Sequence, residues 1–231
     1  MKKDKSPLSR ESQFTLILMG ITCVLITVTG ILFKQSFFRI LPLYVSLIIG
    51  FLQSRVNRIA PLMGGINSLL YSLVYFYYGL YSSALYAVVI SCPLQLITFA
   101  RWKKRAYGHS VIFKVMNTKT RILTAAVCAA GWLILYAVMS AAGASYLLLD
   151  NTLTLFGVLV TILTMLAYIE YTYLAIPSGI VNIVLYAVMS ADAPEQIPYL
   201  IFSVYSFICV TLALFRARKL YAEQQTQKAA V

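Results

Sequence analysis

Runs of about twenty residues without a charge alternate with short clusters of Lys and Arg along this chain. A helix of that length crosses a hydrocarbon core of ~30 Å, and a helix satisfies its own backbone hydrogen bonds where no water is present. Read between the charge clusters, the apolar runs predict eight helices, at 14–33, 38–53, 59–78, 80–100, 122–141, 152–169, 172–190 and 197–215. The second is short, and the third and fourth part only around Gly79. Seven spans, without the first, is the nearest alternative. The stretch 14–33 reads as a span rather than a cleaved signal peptide, because a polar segment precedes it and no small-residue cleavage site follows.

Composition supports the membrane reading. Of 231 residues, 61% are hydrophobic and 11% charged, with a mean hydropathy of +0.82, too few charges to cover a water-soluble surface. The fold class expected is an all-α polytopic membrane protein. Cys23, Cys92, Cys128 and Cys209 are scattered singly through apolar runs, which points to small packing residues and not to a disulfide framework or a zinc site.

Charge orients the spans. Lys2, Lys3, Lys5 and Arg10 precede the first. Arg55 and Arg58 follow the second, and seven cations from Arg101 to Arg121 follow the fourth. Arg216, Arg218, Lys219 and Lys228 close the chain. With eight spans these segments share one side and hold 17 of the 19 basic residues, leaving Lys34 and Arg39 opposite. Both termini are therefore expected in the cytoplasm. The net charge of +12 suits anionic headgroups beside short loops and argues against nucleic acid as a partner.

A shift of the chain on itself by 115 residues aligns Asn67 with Asn182, Leu70 with Leu185, and Tyr71 with Tyr186. The same shift brings Arg101 onto Arg216, Lys103 onto Arg218 and Lys104 onto Lys219. Reuse of "LYAVMSA", found also at 135–141, competes as an explanation. The register nonetheless links a polar residue inside an apolar run to a basic end 34 residues later in both copies. It predicts two parallel three-helix repeats, 38–105 and 150–219, joined by a linker helix at 122–141 (3+1+3). An extra N-terminal span, 14–33, and tails at 1–13 and 220–231 complete the organisation. In such folds substrate sites lie near the midplane, between repeats.

"GGIN" (Gly64 to Asn67), "GLYSSALYAVVISCPLQLITFARWKKR" (Gly79 to Arg105), "LLLDNTLTLFGVLV" (Leu147 to Val160) and "IVNIVLYAV" (Ile180 to Val188) together resemble the PnuC family of bacterial vitamin transporters. The resemblance covers roughly residues 45–220. It implies a fold related to the SWEET sugar transporters, residence in the bacterial inner membrane and uptake of nicotinamide riboside or a relative by facilitated diffusion. It also implies trapping of the substrate by a cytoplasmic kinase, and no cofactor; a homo-oligomer is left open. The chain departs from the family at "YTYLAIPSG" (Tyr171 to Gly179), where tryptophans are usual, and at "LITFARW", which keeps Trp102 alone. Thiamin and deoxynucleosides therefore stay open as cargo, as does a sensor that binds without transporting.

An amide in hydrocarbon costs roughly 2–7 kcal/mol unless it is paired, so Asn67 and Asn182 are expected to face protein or a cavity. Interhelical bonding and ligand binding both satisfy that demand. Tyr71 and Tyr75 follow Asn67 at four-residue intervals and share its helix face, a set suited to stacking on and bonding a flat ring. Gln95 beside Pro93, Tyr186 and Tyr205 complete the candidate substrate site. Tyr77, Tyr78 and Tyr81 read as an interfacial belt, Asp150 as the N-cap of the sixth span, and Glu170 as a solvated loop residue. Asp192 and Glu195 are expected in an outside loop. No membrane-embedded carboxylate is evident, which speaks against proton coupling. His109 is the sole histidine, and no P-loop or hydrolase motif occurs, so an enzyme is not expected.

Overall fold

A computed structural model of the protein describes residues 10–229. Lys2, Lys3 and Lys5 of the N-terminal basic cluster lie outside the described residues. The helices are α1 (Arg10–Leu32), α2 (Phe37–Ser54), α3 (Ala60–Tyr77), α4 (Tyr81–Leu85), α5 (Cys92–Lys104), α6 (Thr118–Ala141), α7 (Leu147–Met165), α8 (Glu170–Asp192) and α9 (Ile197–Ala229). A hairpin of two short strands, Ala106–Tyr107 and Ser110–Val111, follows α5.

Helices α4 and α5 form one continuous segment through a π-helical turn at Tyr86–Ser91. Pro93, at the start of α5, is the cause: its ring clashes with the carbonyl four residues back and it donates no hydrogen bond, which the wider turn accommodates. Gly79, at φ +68, makes the sharp reversal from α3 into α4, a conformation other residues rarely adopt. Asn117 caps α6 by accepting from the Thr120 N–H at 2.7 Å.

Among the described residues, seven helical segments are long and apolar enough to cross a membrane. The protein is a multi-pass membrane protein. The segment that fails on composition is α3, not α1. Its 18 residues include Asn67, two serines and three tyrosines, so it is a helix tolerable in a bilayer only when its polar face meets protein.

The helices pack in a ring. Within the first half α3 lies between α2 and α5, and within the second α8 lies between α7 and α9. The halves meet twice, through α2 against α9 and α5 against α7. Exchanging the two triplets leaves this order unchanged. Helix α6 packs on α7 and is otherwise largely exposed, as a lipid-facing connector is, while α1 packs on α2 and α9.

Two buried clusters lie toward the two ends of the ring. At the end bearing Lys34 and Arg39, Leu43, Leu47, Leu80, Leu185, Tyr186, Tyr199 and Tyr205 pack together. At the basic end Val56, Trp102, Val111, Phe113, Ala167 and Ile169 do so, with Ala213 and Ala217. The second cluster includes the 106–117 loop, which is held at several points. The Gln224 amide accepts from Phe113 N–H at 2.9 Å and donates to the Val111 carbonyl at 3.0 Å.

Three sequence expectations change here. Asp150 does not cap its own helix: Tyr146 occupies that position, and the fully buried Asp150 carboxylate accepts from the Ser82 N–H at 3.1 Å and from the Ser83 hydroxyl. It thereby caps α4 from the side, and it is a buried carboxylate within an apolar helix after all. Glu170 is not simply solvated. It pairs with Arg121 at 2.8 Å and accepts from the Met116 N–H at 2.9 Å, tying the loop to α8. Residues 220–229 are no separate tail but the last turns of α9.

Candidate functional site

A cavity of about 200 Å³ lies inside the ring toward the basic end, between the two halves. From the first half Tyr86, Gln95, Thr98 and Trp102 line it. Ser91, Gln95, Thr98 and Trp102 recur at intervals of four, three and four, so one face of the α5 segment is presented inward. From the second half come Thr161, Thr164 and Tyr171. The wall thus combines three aromatic rings with the amides of Gln53, Asn57 and Gln95 and several hydroxyls.

Each of these side chains is held in place. Gln95 Nε2 donates to Ser91 Oγ at 2.6 Å and to Ser68 Oγ at 3.3 Å. Gly64 leaves the space for that amide, since a Cβ there would stand 1.9 Å from Gln95 Oε1. Tyr86 reaches across to α7, where its hydroxyl donates to the Gly157 carbonyl at 3.1 Å and pairs with Thr161 Oγ1 at 2.7 Å. Gly157 is small for the same reason, a Cβ there falling 2.9 Å from the Tyr86 ring. Trp102 Nε1 donates to the Thr164 carbonyl at 2.8 Å.

Of the residues expected at the site, Gln95 alone lines this cavity. Asn67 is buried between α2 and α3, where Nδ2 donates to Ser46 Oγ at 2.7 Å and to the Pro42 carbonyl at 3.1 Å. Its Oδ1 is buried with no hydrogen-bond partner among the described residues. Ser46 in turn donates to the Tyr71 hydroxyl at 3.1 Å, linking Asn67 to Tyr71. Asn182 Nδ2 donates to Ser203 Oγ at 2.9 Å on α9. The Tyr205 hydroxyl donates to the Leu47 carbonyl at 2.8 Å, joining α9 to α2 over Gly50.

Tyr71, Tyr75 and Tyr186 belong to an aromatic layer just beyond the cavity. Tyr71 stacks on Tyr75 with centroids 5.4 Å apart, and Tyr186 stacks on Tyr199 at 5.5 Å. Tyr71 and Tyr75 of α3 pack against the buried cluster that holds Tyr186 of α8, which brings the two helices together across the ring. Tyr199 donates to the Arg39 carbonyl at 2.6 Å. Of the expected belt, Tyr77 is exposed with the Arg39 guanidinium 3.8 Å from its ring centroid, whereas Tyr78 packs edge-on against Tyr199.

At the basic end Arg55 donates to Ser12. Burial, and then the like charge of Arg216, push its guanidinium below its usual value. Tyr86, Tyr171 and the threonines were not singled out from sequence, although Thr154, Thr161 and Thr164 share one face of α7 and carried a readable signal.

The profile of a family described as "Nicotinamide mononucleotide transporter" matches residues 36–219. The fold is similar to that in "Crystal structure of the Vitamin B3 transporter PnuC", with a TM-score of 0.69 and 21% identity over 90% of this chain and 93% of that one. No curated protein matches the chain.

Proposed function

Because the chain belongs to the nicotinamide mononucleotide transporter (PnuC) family and is thus a membrane transporter, not an enzyme, we propose that it carries a vitamin or nucleoside-like molecule inward by facilitated diffusion. Nicotinamide riboside or a relative is the cargo that suits it. The observation that carries this reading is the cavity between the halves, where Tyr86, Trp102 and Tyr171 surround Gln95 and Thr161. Aromatic faces stack on a flat heterocycle, and an amide supplies both donor and acceptor for a carboxamide or ribose hydroxyls. At about 200 Å³ the space falls below the ~300–1,000 Å³ of drug-sized sites, which restricts cargo to one or two small rings.

The basic end faces the cytoplasm of the inner membrane in this reading, with both termini there. The cavity then represents an inward-facing arrangement, and the tyrosine layer of Tyr71, Tyr75, Tyr186 and Tyr199 is the outer gate. The ring's symmetric packing supports two parallel three-helix repeats with α6 as linker. Asn67 and Asn182 sit beside the gate as helix-bonding residues, and the unpartnered Asn67 Oδ1 is the acceptor available to a substrate passing through. A cytoplasmic kinase that phosphorylates the product keeps the inward gradient.

The test is counterflow in proteoliposomes preloaded with unlabelled nicotinamide riboside, thiamin, riboflavin or a nucleoside, with labelled compound outside. One of these should exchange, and Tyr171→Leu should weaken that exchange several-fold with unchanged insertion. Saturable binding of a ligand without any exchange across the bilayer would overturn transport in favour of a sensor.

A further inference from the structure

Beyond the cavity, at the basic end, four cations from two separate segments converge on one pocket. Arg101, Lys104 and Arg105 come from the end of α5 and Lys114 from the loop before α6. With Leu166 and Tyr168 of the α7–α8 connection they line a half-open pocket of about 340 Å³. Lys114 is pinned there. Its N–H donates to the Ala167 carbonyl at 2.8 Å and its carbonyl accepts from the Ile169 N–H at 2.9 Å. Ala167 makes the receiving turn at φ +59, in the left-handed region that a residue with a side chain rarely adopts.

None of the four cationic side chains has a hydrogen bond or an ion pair with another described residue; the carboxylate of Glu170 is engaged by Arg121 instead. Bias toward positive charge on one membrane side explains cations beside a bilayer, but not their convergence on one space; the adjacent Lys103 meets that bias outside the pocket. The negative end of α5 explains Arg101 and Lys104, but not Lys114, which a backbone bridge delivers from elsewhere.

We infer that this pocket binds a phosphate group, supplied by the headgroup of an anionic lipid or by a soluble phosphate ester. Guanidinium forks match phosphate oxygens bidentately and the lysines add point charges. Leu166 and Tyr168 give the pocket an apolar and an amphipathic wall, the combination found at headgroup depth. The occupant holds the end of α5, the helix that also carries Gln95, Thr98 and Trp102 of the cavity, so it steadies that wall from outside. The inference does not depend on which cargo is carried.

The experiment titrates the full chain in neutral detergent with inorganic phosphate, with glycerol phosphate, and with micelles containing dioleoylphosphatidylglycerol or dioleoylphosphatidylcholine. Each surface cation contributes about 1 kcal/mol toward an anionic headgroup, so R101Q/K104Q/K114Q should weaken binding about a hundredfold and K114Q alone about fivefold. K114Q leaves the backbone bridge intact and guards against a misfolded triple variant. K103Q/R218Q/K219Q removes the same charge outside the pocket and should leave binding unchanged. Saturable binding of phosphatidylglycerol alone assigns a lipid, and binding of the soluble phosphates assigns a free ester. Absence of binding by every anionic probe beyond the phosphatidylcholine level, or equal loss in the two triple variants, overturns the proposal.

Discussion

Gly64→Ala separates the role of Gln95 from the stability of the helices around it. A Cβ at residue 64 would stand 1.9 Å from Gln95 Oε1 and 3.0 Å from its Cδ. Both atoms are at the far end of a flexible side chain, so the amide swings aside and α3 and α5 stay in place. Lost with that motion are the bonds from Nε2 to Ser91 at 2.6 Å and to Ser68 at 3.3 Å. Hydrogen bonds between membrane helices average ~0.6 kcal/mol, so the pair is worth about 1 kcal/mol. Alanine gains about 0.8–1.0 kcal/mol of helix propensity over glycine. The two terms cancel, and the melting temperature should stay within about 4 °C of the wild type. Uptake does not cancel. A cargo bonded by the Gln95 amide loses about 1.4 kcal/mol or more, a tenfold rise in KM. Gly131→Ala on α6 is the control, because nothing lies within 4 Å of a Cβ there. Equal KM values in the two variants and the wild type would refute a substrate-binding role for Gln95.

Three further outcomes are expected. Gln224→Ala removes the side chain that bonds both Val111 and Phe113, so hydrogen exchange at the Phe113 amide should accelerate at least tenfold while the transmembrane helices stay protected; unchanged exchange would mean the loop is held elsewhere. Reporters fused to either end should read out in the cytoplasm, and an external C-terminus would invert the orientation taken from the basic loops. Uptake into proteoliposomes should stop at equal concentrations even under an imposed proton gradient, with Asp150→Asn lowering stability by roughly 1–3 kcal/mol through a mismatched donor; accumulation that disappears in this variant would make Asp150 a coupling site.

Helix positions were legible because charge clusters and apolar runs report directly on the bilayer. A local opening of the helix ladder beside Pro93 was legible too, and the π turn Tyr86–Ser91 lies just before that proline. The partners of polar residues were not. Asp150 in "LLLDNT" has the sequence look of a cap for its own helix, yet the backbone it caps belongs to α4, far off in the chain. Glu170 looked solvated because its partner Arg121 lies 49 positions away. Asn67 and Asn182 stood out by polarity alone, whereas most of the polar side chains on the cavity wall are tyrosines and threonines. Those residue types are common in membrane helices, and only their spacing along one face marks them.

The distribution of bonds between the two halves explains which end of the ring is closed. Toward the end bearing Arg39, Tyr199 holds the Arg39 carbonyl and Tyr205 holds Leu47, joining α9 to α2. On the other seam Asp150 and Asn151 hold Ser82 and Ser83, while Tyr86 holds Gly157 beside the cavity. Toward the basic end the direct side-chain bonds between the halves are those of Tyr86 around the cavity and of Trp102 to Thr164, and the 106–117 loop is laid on α9. Alternating access about a fixed site requires the closed seam to part. With each bond worth about 0.6 kcal/mol in a membrane protein, the five on the closed side sum to about 3 kcal/mol. In the proposed reading an empty carrier rests facing the basic end, and parting of the opposite seam is the step expected to limit uptake.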